Sequence, residues 1–523
     1  MSRPGLLPAP GGLGLAGVRH ELPALLAFRL GIGERRRRWA VPAAVGVLLA
    51  STVGLPLVMA GVMVAGVAGV DPVRETVTLV LPSAWSFFVV SAFVAAIGAA
   101  GGRELLPRAQ AQVFPVSPAT DHLGALLLTP LNVAWSLQAA GLFAAVGVVA
   151  AGSAELWVRL WLGTLAWVAA ATGLAQLAGW ATELVRTVPG GVPAIRLVGV
   201  ATVGLAVWVV ASGRAGRVVD SLSTVEVYLL VIGDATLLDP GLAATLAVLL
   251  GVAVAATVAA VPLVALLGRR PAGVQARLET VPRAAIPESG GERALLARLD
   301  RRLVSRSAPM RRGLVVLMAL PVVAAALVPL PWAGITVLPA LIASAAGLLY
   351  GVNAFALDGS GAVWRDSLPQ RPRLWLDSRL LVLAQLSALC VVAVVLTAAL
   401  RGGTSPTAAQ ATAVAAACLV SVVQVVGRCA QWSVRRPYPA PLRGSRDAPG
   451  PPVAMAGYAV RLSIATTLSG VLFALAGGAP GPAAPAVLTL PFLVVGAWRI
   501  RRAFDAFDRP EVRARVTATV SGG

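Results

Sequence analysis

The chain has 523 residues, of which 57% are apolar and only 13% charged, with a formal net charge of +20. A soluble domain of this length has no interior large enough for that much apolar surface, and recurring runs of about twenty apolar residues make a lipid bilayer the expected solvent. All 43 basic residues are arginine, lying largely in segments between the apolar runs, so the positive charge reads as a membrane-sidedness signal and excludes a nucleic-acid partner.

In chain order, residues 1–16 are rich in proline and glycine and read as a disordered tail. Residues 18–33 mix apolar positions with His20, Glu21 and Arg29, as in a helix lying on a membrane surface. The basic cluster Arg35–Arg38 follows that apolar part instead of preceding it, the wrong order for a signal peptide. Twelve expected spans follow: 39–70, 76–100, 123–150, 156–181, 194–212 and 239–268, then 313–328, 333–357, 379–400, 407–431, 457–477 and 482–500. The predicted architecture is an all-α polytopic membrane protein of two six-helix repeats. Residues 17–268 form the first, with its interfacial helix; 269–312 are a cytoplasmic basic linker; 313–500 form the second; 501–523 are a cytoplasmic tail.

Charge between spans sets the expected orientation. Arginines crowd 35–38, 432–456, the start of the tail and the linker, which carries eleven arginines against four acids. All fall on one side of a twelve-span arrangement, so both termini are expected in the cytoplasm. Within the linker, 291–306 reads as an amphipathic elbow helix, with Leu295, Leu296, Leu299 and Leu303 on one face and arginines opposite. It reads either as a solvated basic helix on anionic lipid or as an elbow that also touches a cytoplasmic partner. On the other side, 213–238 is too short and polar to span; Val225, Leu229 and Ile232 at helical spacing beside Glu226 and Asp234 predict an interfacial or re-entrant helix.

The spans are written twice. Phe114-Pro115-Val116-Ser117-Pro118 interrupts the first half where Leu368-Pro369-Gln370-Arg371-Pro372 interrupts the second, each about ten residues after an acid, Glu104 or Asp358. Glu21-Leu22-Pro23-Ala24-Leu25-Leu26-Ala27 is echoed by Glu292-Arg293-Ala294-Leu295-Leu296-Ala297. Proline removes a backbone donor and turns the preceding residue away from helix, so each Pro-x-x-Pro predicts a firm bend before the next span. Repeated halves in a polytopic protein point to transport through a path between related bundles.

Candidate chemistry is sparse. Without lysine there is neither a P-loop nor Schiff-base chemistry, so an ATP-driven protein of this kind needs its nucleotide on another chain. Cys390, Cys418 and Cys429 have no metal or disulfide spacing, and His20 and His122 stand far apart. The pathway candidates are polar residues in spans, Asn132, Gln138, Asn353, Gln385 and Gln424, with Gln176 and Gln410; each serves equally well as an interhelical hydrogen-bonding group.

Asn353-Ala354-Phe355-Ala356-Leu357-Asp358-Gly359, then Leu368-Pro369-Gln370-Arg371-Pro372 with Arg379 opening the next span, resembles the ABC-2 type exporter permeases, and the first half matches more loosely. The chain is similar to two such permease halves fused in tandem. The resemblance implies a membrane subunit that is not itself an enzyme and binds no cofactor, with ATP and Mg on a cytoplasmic ABC ATPase present in two copies. It implies docking at Glu104, Pro115, Pro118 and Asp121 in one half, and at Asp358, Pro369, Pro372 and Asp377 in the other. The expected cargo is amphipathic or lipid-like, crossing a bacterial plasma membrane. Three other readings stand beside it: an ion-coupled twelve-helix transporter, a membrane enzyme using Glu104 with Asp121 or Asp358 with Asp366, and a scaffold.

Overall fold

A computed structural model describes residues 50–64, 71–98, 116–269, 291–438 and 452–522, save 132, 215–216, 219–220, 222, 234–235, 238, 328–329, 360 and 370, together with Val18, Glu21 and Leu22. The tail 1–16, most of the expected surface helix 18–33, Glu104, Pro115 and Asn132 lie outside the described residues. Every regular element described is helical, and eight helices are long and apolar enough to cross a membrane. Four shorter apolar helices fall at other expected spans, Thr52–Gly61, Gln138–Val149, Gly191–Thr202 and Gly313–Ala326. The protein is therefore an all-α, multi-pass membrane protein. It forms two compact units, Met1–Leu278 and Glu279–Gly523.

In the first unit, a π-helical turn at Ala50–Gly54 leads into α1 (Leu55–Val64), followed by α2 (Asp71–Gly98). The third expected span is broken into α3 (Pro118–Leu127), a 3-10 turn at Thr129–Leu131 and α4 (Val133–Val149). Pro130 stands at the break, where it has no N–H to continue the ladder and its ring crowds the preceding turn. Then come α5 (Ala154–Arg186), α6 (Gly191–Ala211), α7 (Ser223–Ile232) and α8 (Pro240–Gly268). The core is aromatic where α2, α4, α5 and α7 meet: Trp85 and Phe88 are buried, Trp85 stacks on Trp167 with centroids 5.6 Å apart, and Tyr228 meets Trp85 edge-on at 5.8 Å. Outward faces stay apolar at Leu79, Leu197, Val254 and Val258, as expected of helices whose solvent is lipid.

The outer segment does contain a helix, α7, but its packed face differs from the expected one. Thr224, Tyr228 and Val231 are buried, whereas Leu229 is exposed. Two polar anchors fix this rotation: the Tyr228 hydroxyl donates to the Thr78 carbonyl at 3.0 Å, and the Thr224 and Ser86 hydroxyls lie 2.7 Å apart. Burying the phenol ring with its hydroxyl satisfied outweighs aligning three aliphatic residues.

The second unit opens with α9 (Glu292–Arg306), then α10 (Ala308–Leu327) and α11 (Trp332–Ala346), which ends in a π-helical turn at Gly347–Gly351. After turns come α12 (Gly361–Ser367), α13 (Pro372–Arg401), α14 (Ala408–Arg435), α15 (Pro452–Ala476) and α16 (Ala483–Phe507). Within the expected tail, 501–523, α16 runs on to Phe507 and α17 (Pro510–Ser521) follows, burying Val516 and Val520 in the unit's core. Those two valines are four residues apart, one helical turn, so they present a single apolar stripe. The connection at 477–482 is a plain turn, with no counterpart of α7.

Candidate functional site

The second half's proline-bounded segment is held by the densest polar cluster described in the second unit. The chain leaves α11 through the Gly347–Gly351 turn, which is tied to the end of α14: Ser433 Oγ donates to the Gly351 carbonyl at 3.0 Å and accepts from the Ala354 N–H at 2.9 Å. Asn353 Nδ2 donates to the Tyr438 carbonyl at 2.6 Å. Phe355, fully buried, stacks on Phe507 at 5.3 Å, and Trp375 closes edge-on at 5.0 Å. These contacts aim Asp358 inward, and Gly359, at φ +49, lets the chain turn back out into α12.

Asp358 accepts from Trp375 Nε1 at 3.1 Å, from Arg365 Nη1 at 3.2 Å and from Arg379 Nη2. Asp300 of α9 completes the cluster, 3.0 Å from Arg365, 3.3 Å from Arg379 and 2.6 Å from the Ser378 hydroxyl. All four charged side chains are at most 5% exposed. Two carboxylates face two guanidiniums, so the formal charge sums to zero. A buried set of this kind adds little net stability, because desolvation offsets attraction, but it heavily penalises any arrangement that separates its members. It thus locks α9, the turn after α11, α12 and α13 to one another.

Around this lock lie more open pairs. Arg293 meets Asp377 at 2.5 Å, Arg373 meets Asp508 at 2.5 Å and Arg513 of α17 meets Asp366 at 3.3 Å. Asp358 and Asp366 consequently face different arginines and do not form a paired-acid site. Among the described residues no group of His, Cys, Asp and Glu has the makings of a metal site. Two large apolar side chains project outward from α12 beside the polar Asp366 and Ser367: Val363 is 56% and Trp364 67% exposed.

The expected site residues separate accordingly. Asp358 is buried as an internal strut, its carboxylate held by Arg365, Arg379 and Trp375. Pro369 is exposed in the bend, Pro372 is the first residue of α13, and Asp377 joins α13 to α9 through Arg293. In the first unit Pro118 likewise opens its helix behind the Ser117 cap, and Asp121 lies in the first turn. Glu21 docks there, accepting from the Ser117 N–H at 3.2 Å and the Thr120 hydroxyl at 2.6 Å. Partial burial pushes the Glu21 carboxyl up, but hydrogen bonds from Thr120 and Ser117 outweigh it and leave its pKa below the ordinary value.

The expected pathway amides are scattered. Gln138 accepts from Ser91 between α4 and α2, and Gln424 donates to the Phe492 carbonyl at 3.0 Å between α14 and α16. Gln385 is exposed and accepts from Arg301 of α9 at 3.2 Å. Asn353 sits beyond the helical part of its span, in the turn. Within the second unit, Asn353, Gln385 and Gln424 each bond a different partner. The first unit has an apolar cavity of about 570 Å³ beside the broken third span, lined by Thr129, Pro130, Trp135, Trp161 and Thr257 among others. Three of its threonine hydroxyls donate to carbonyls four residues back: Thr129 to Ala125, Thr172 to Val168 and Thr257 to Ala253.

Sequence reasoning missed Asp300 and Arg365. The signal for Asp300 was present: it lies four residues after Leu296 and four before Val304, on the buried stripe of α9, where an acid requires a partner. No protein-family model and no curated protein matches this sequence.

Proposed function

We propose that the chain is the membrane subunit of an ATP-driven exporter resembling the ABC-2 type permeases, worked by a separate cytoplasmic ABC ATPase. The observation that carries this reading is α12. This seven-residue helix turns an apolar pair, Val363 and Trp364, to the outside while Arg365 anchors it to Asp300 and Asp358. A rigid protrusion fastened both to an amphipathic elbow helix and to the start of a span suits a part that a motor grips. Force applied at Trp364 would reach α9 and α13 without loss in soft loops.

In this reading the chain crosses a bacterial plasma membrane twelve times with both termini in the cytoplasm, and its two halves engage two ATPase copies that hold ATP and Mg. The cargo is amphipathic or lipid-like, in keeping with the apolar cavity of the first unit. The test is affinity purification of the full chain from native membranes. A stoichiometric Walker-motif ATPase should accompany it and be lost from V363A/W364A, which removes only outward side chains. A chain that purifies alone yet moves substrate on an imposed proton gradient would overturn the proposal in favour of an ion-coupled transporter.

A further inference from the structure

Two arginines of the second unit, Arg428 and Arg499, share one helix crossing, and no carboxylate among the described residues pairs with either. Helices α14 and α16 touch at glycines: a methyl on Gly427 would lie 3.0 Å from the Gly496 carbonyl oxygen and 3.2 Å from Arg499 Cβ. That close crossing places Arg428, next to Gly427 in the chain, at the same helix crossing as Arg499, so two like charges meet there. Arg499 has one neutral partner, the Gln424 side-chain oxygen at 2.9 Å. Arg428 Nε is buried with no hydrogen-bond partner, and among the described residues no carboxylate pairs with either arginine. Both residues are only partly buried, so each side chain keeps some surface open to the outside.

Their depth is set by the same helices. Each lies seven or eight residues before the end of its helix, about 10–12 Å at 1.5 Å per residue. On the lipid-facing side of α16 the apolar stripe Val487, Leu490 and Val494 gives way to Trp498, over whose ring Arg502 sits at 4.8 Å. Tryptophan capped by arginine marks the level of headgroups. Elsewhere in this unit the buried arginines, Arg365 and Arg379, are matched one for one by Asp300 and Asp358. An unmatched pair at headgroup depth has the charge, donors and planar geometry to hold a phosphate.

We infer that Arg428 and Arg499 form a phosphate-binding site, open to the headgroup of an anionic phospholipid or to free phosphate. This site stands whether or not an ATPase drives the protein. The test uses the full chain in phosphatidylcholine nanodiscs, read by its thermal midpoint, with phosphatidylglycerol or inorganic phosphate added. The wild type should gain several degrees with phosphatidylglycerol. Arg428→Gln should be at least as stable as the wild type in pure phosphatidylcholine, because it relieves repulsion and breaks no hydrogen bond or ion pair among the described residues, and should lose the gain. Arg435→Gln, an exposed charge at the end of α14, should keep it. A gain from inorganic phosphate that R428Q abolishes assigns the site to free anion; a gain from phosphatidylglycerol alone assigns it to the lipid headgroup. The inference is overturned if neither additive stabilises the wild type, if R428Q responds as the wild type does, if R435Q loses as much, or if R428Q is less stable in phosphatidylcholine.

Discussion

Asp300→Asn tests whether the four-charge cluster is the lock that the geometry suggests. Asp300 is 0% exposed and serves Arg365, Arg379 and Ser378 at once. Neutralising it leaves two buried guanidiniums against the single carboxylate of Asp358, and removing one partner of such a set costs about 3–5 kcal/mol. If the loss is felt locally, the opening equilibrium of α9 and α12 rises by about two to four orders of magnitude, at tenfold per 1.4 kcal/mol. Hydrogen–deuterium exchange of the full chain, under conditions where exchange follows the opening equilibrium, reads this directly in peptides spanning 292–306 and 361–379. Asp377→Asn is the internal control, because it breaks the Arg293 pair at the same α9–α13 interface where Arg293 is 59% exposed. A pair that open is worth about 1 kcal/mol or less, under a tenfold change. Restoring neutrality with Arg365→Gln in the Asp300→Asn background should make the double variant cost less than the two singles added, by about 0.5–3 kcal/mol. Equal effects of the Asp300 and Asp377 variants, or strict additivity of the double, would refute the lock.

Three further tests follow from local geometry. A methyl added to Gly147 of α4 would lie 2.1 Å from the Pro56 carbonyl oxygen of α1, so Gly147→Ala should cost about 1–3 kcal/mol. Gly141→Ala on the same helix meets nothing within 4 Å and should gain about 0.5–1 kcal/mol from helix propensity; thermal melts in detergent rank the two. Because the Glu21 pKa is lowered in the folded chain, its hold on Ser117 and Thr120 is fully present above the ordinary carboxylate value. That hold is lost as pH falls through the depressed folded value. The Ser117 amide, which donates to Glu21, should lose protection over that range once intrinsic exchange is corrected for, and Glu21→Gln should remove the pH dependence. Trp364→Ala should leave the protection of α9 and α13 unchanged while weakening ATPase association; loss of protection would make Trp364 a packing residue instead.

Periodicity and proline carried much of the fold. Apolar runs of bilayer length marked the long helices, and the second proline of each Pro-x-x-Pro, Pro118 and Pro372, is the first residue of its helix, where a missing N–H costs nothing. What escaped was decided by single polar atoms. The face of α7 turns on the Tyr228 hydroxyl, which counts as neither apolar nor charged in a stripe. Asp300 looked like one more solvated acid in a basic linker, because its partners Arg365 and Arg379 lie about 65 and 80 residues further along the chain. The arginine- and threonine-rich stretch after Phe507 concealed the Val516 and Val520 spacing that folds α17 back.

The two halves agree in how the third span starts and differ in how it continues. Twelve residues after Pro118 stands Pro130, and the helix breaks at Thr129–Leu131; twelve after Pro372 stands Ala384, and α13 runs unbroken for 30 residues. If proline alone makes the break, Pro130→Ala should restore the donor that the ladder lacks, raise amide protection across 129–131 and narrow the neighbouring cavity. Two side-chain bonds oppose that outcome. Gln176 Nε2 donates to the Thr129 hydroxyl at 3.1 Å and Trp135 Nε1 to the Thr172 hydroxyl at 3.0 Å, and both tie the broken strand of the span to α5. Unchanged protection in Pro130→Ala would therefore locate the cause in these bonds. Pro130→Ala combined with Gln176→Leu should then release the span, making the cavity a feature that α5 imposes on the first unit and not one that a single proline creates.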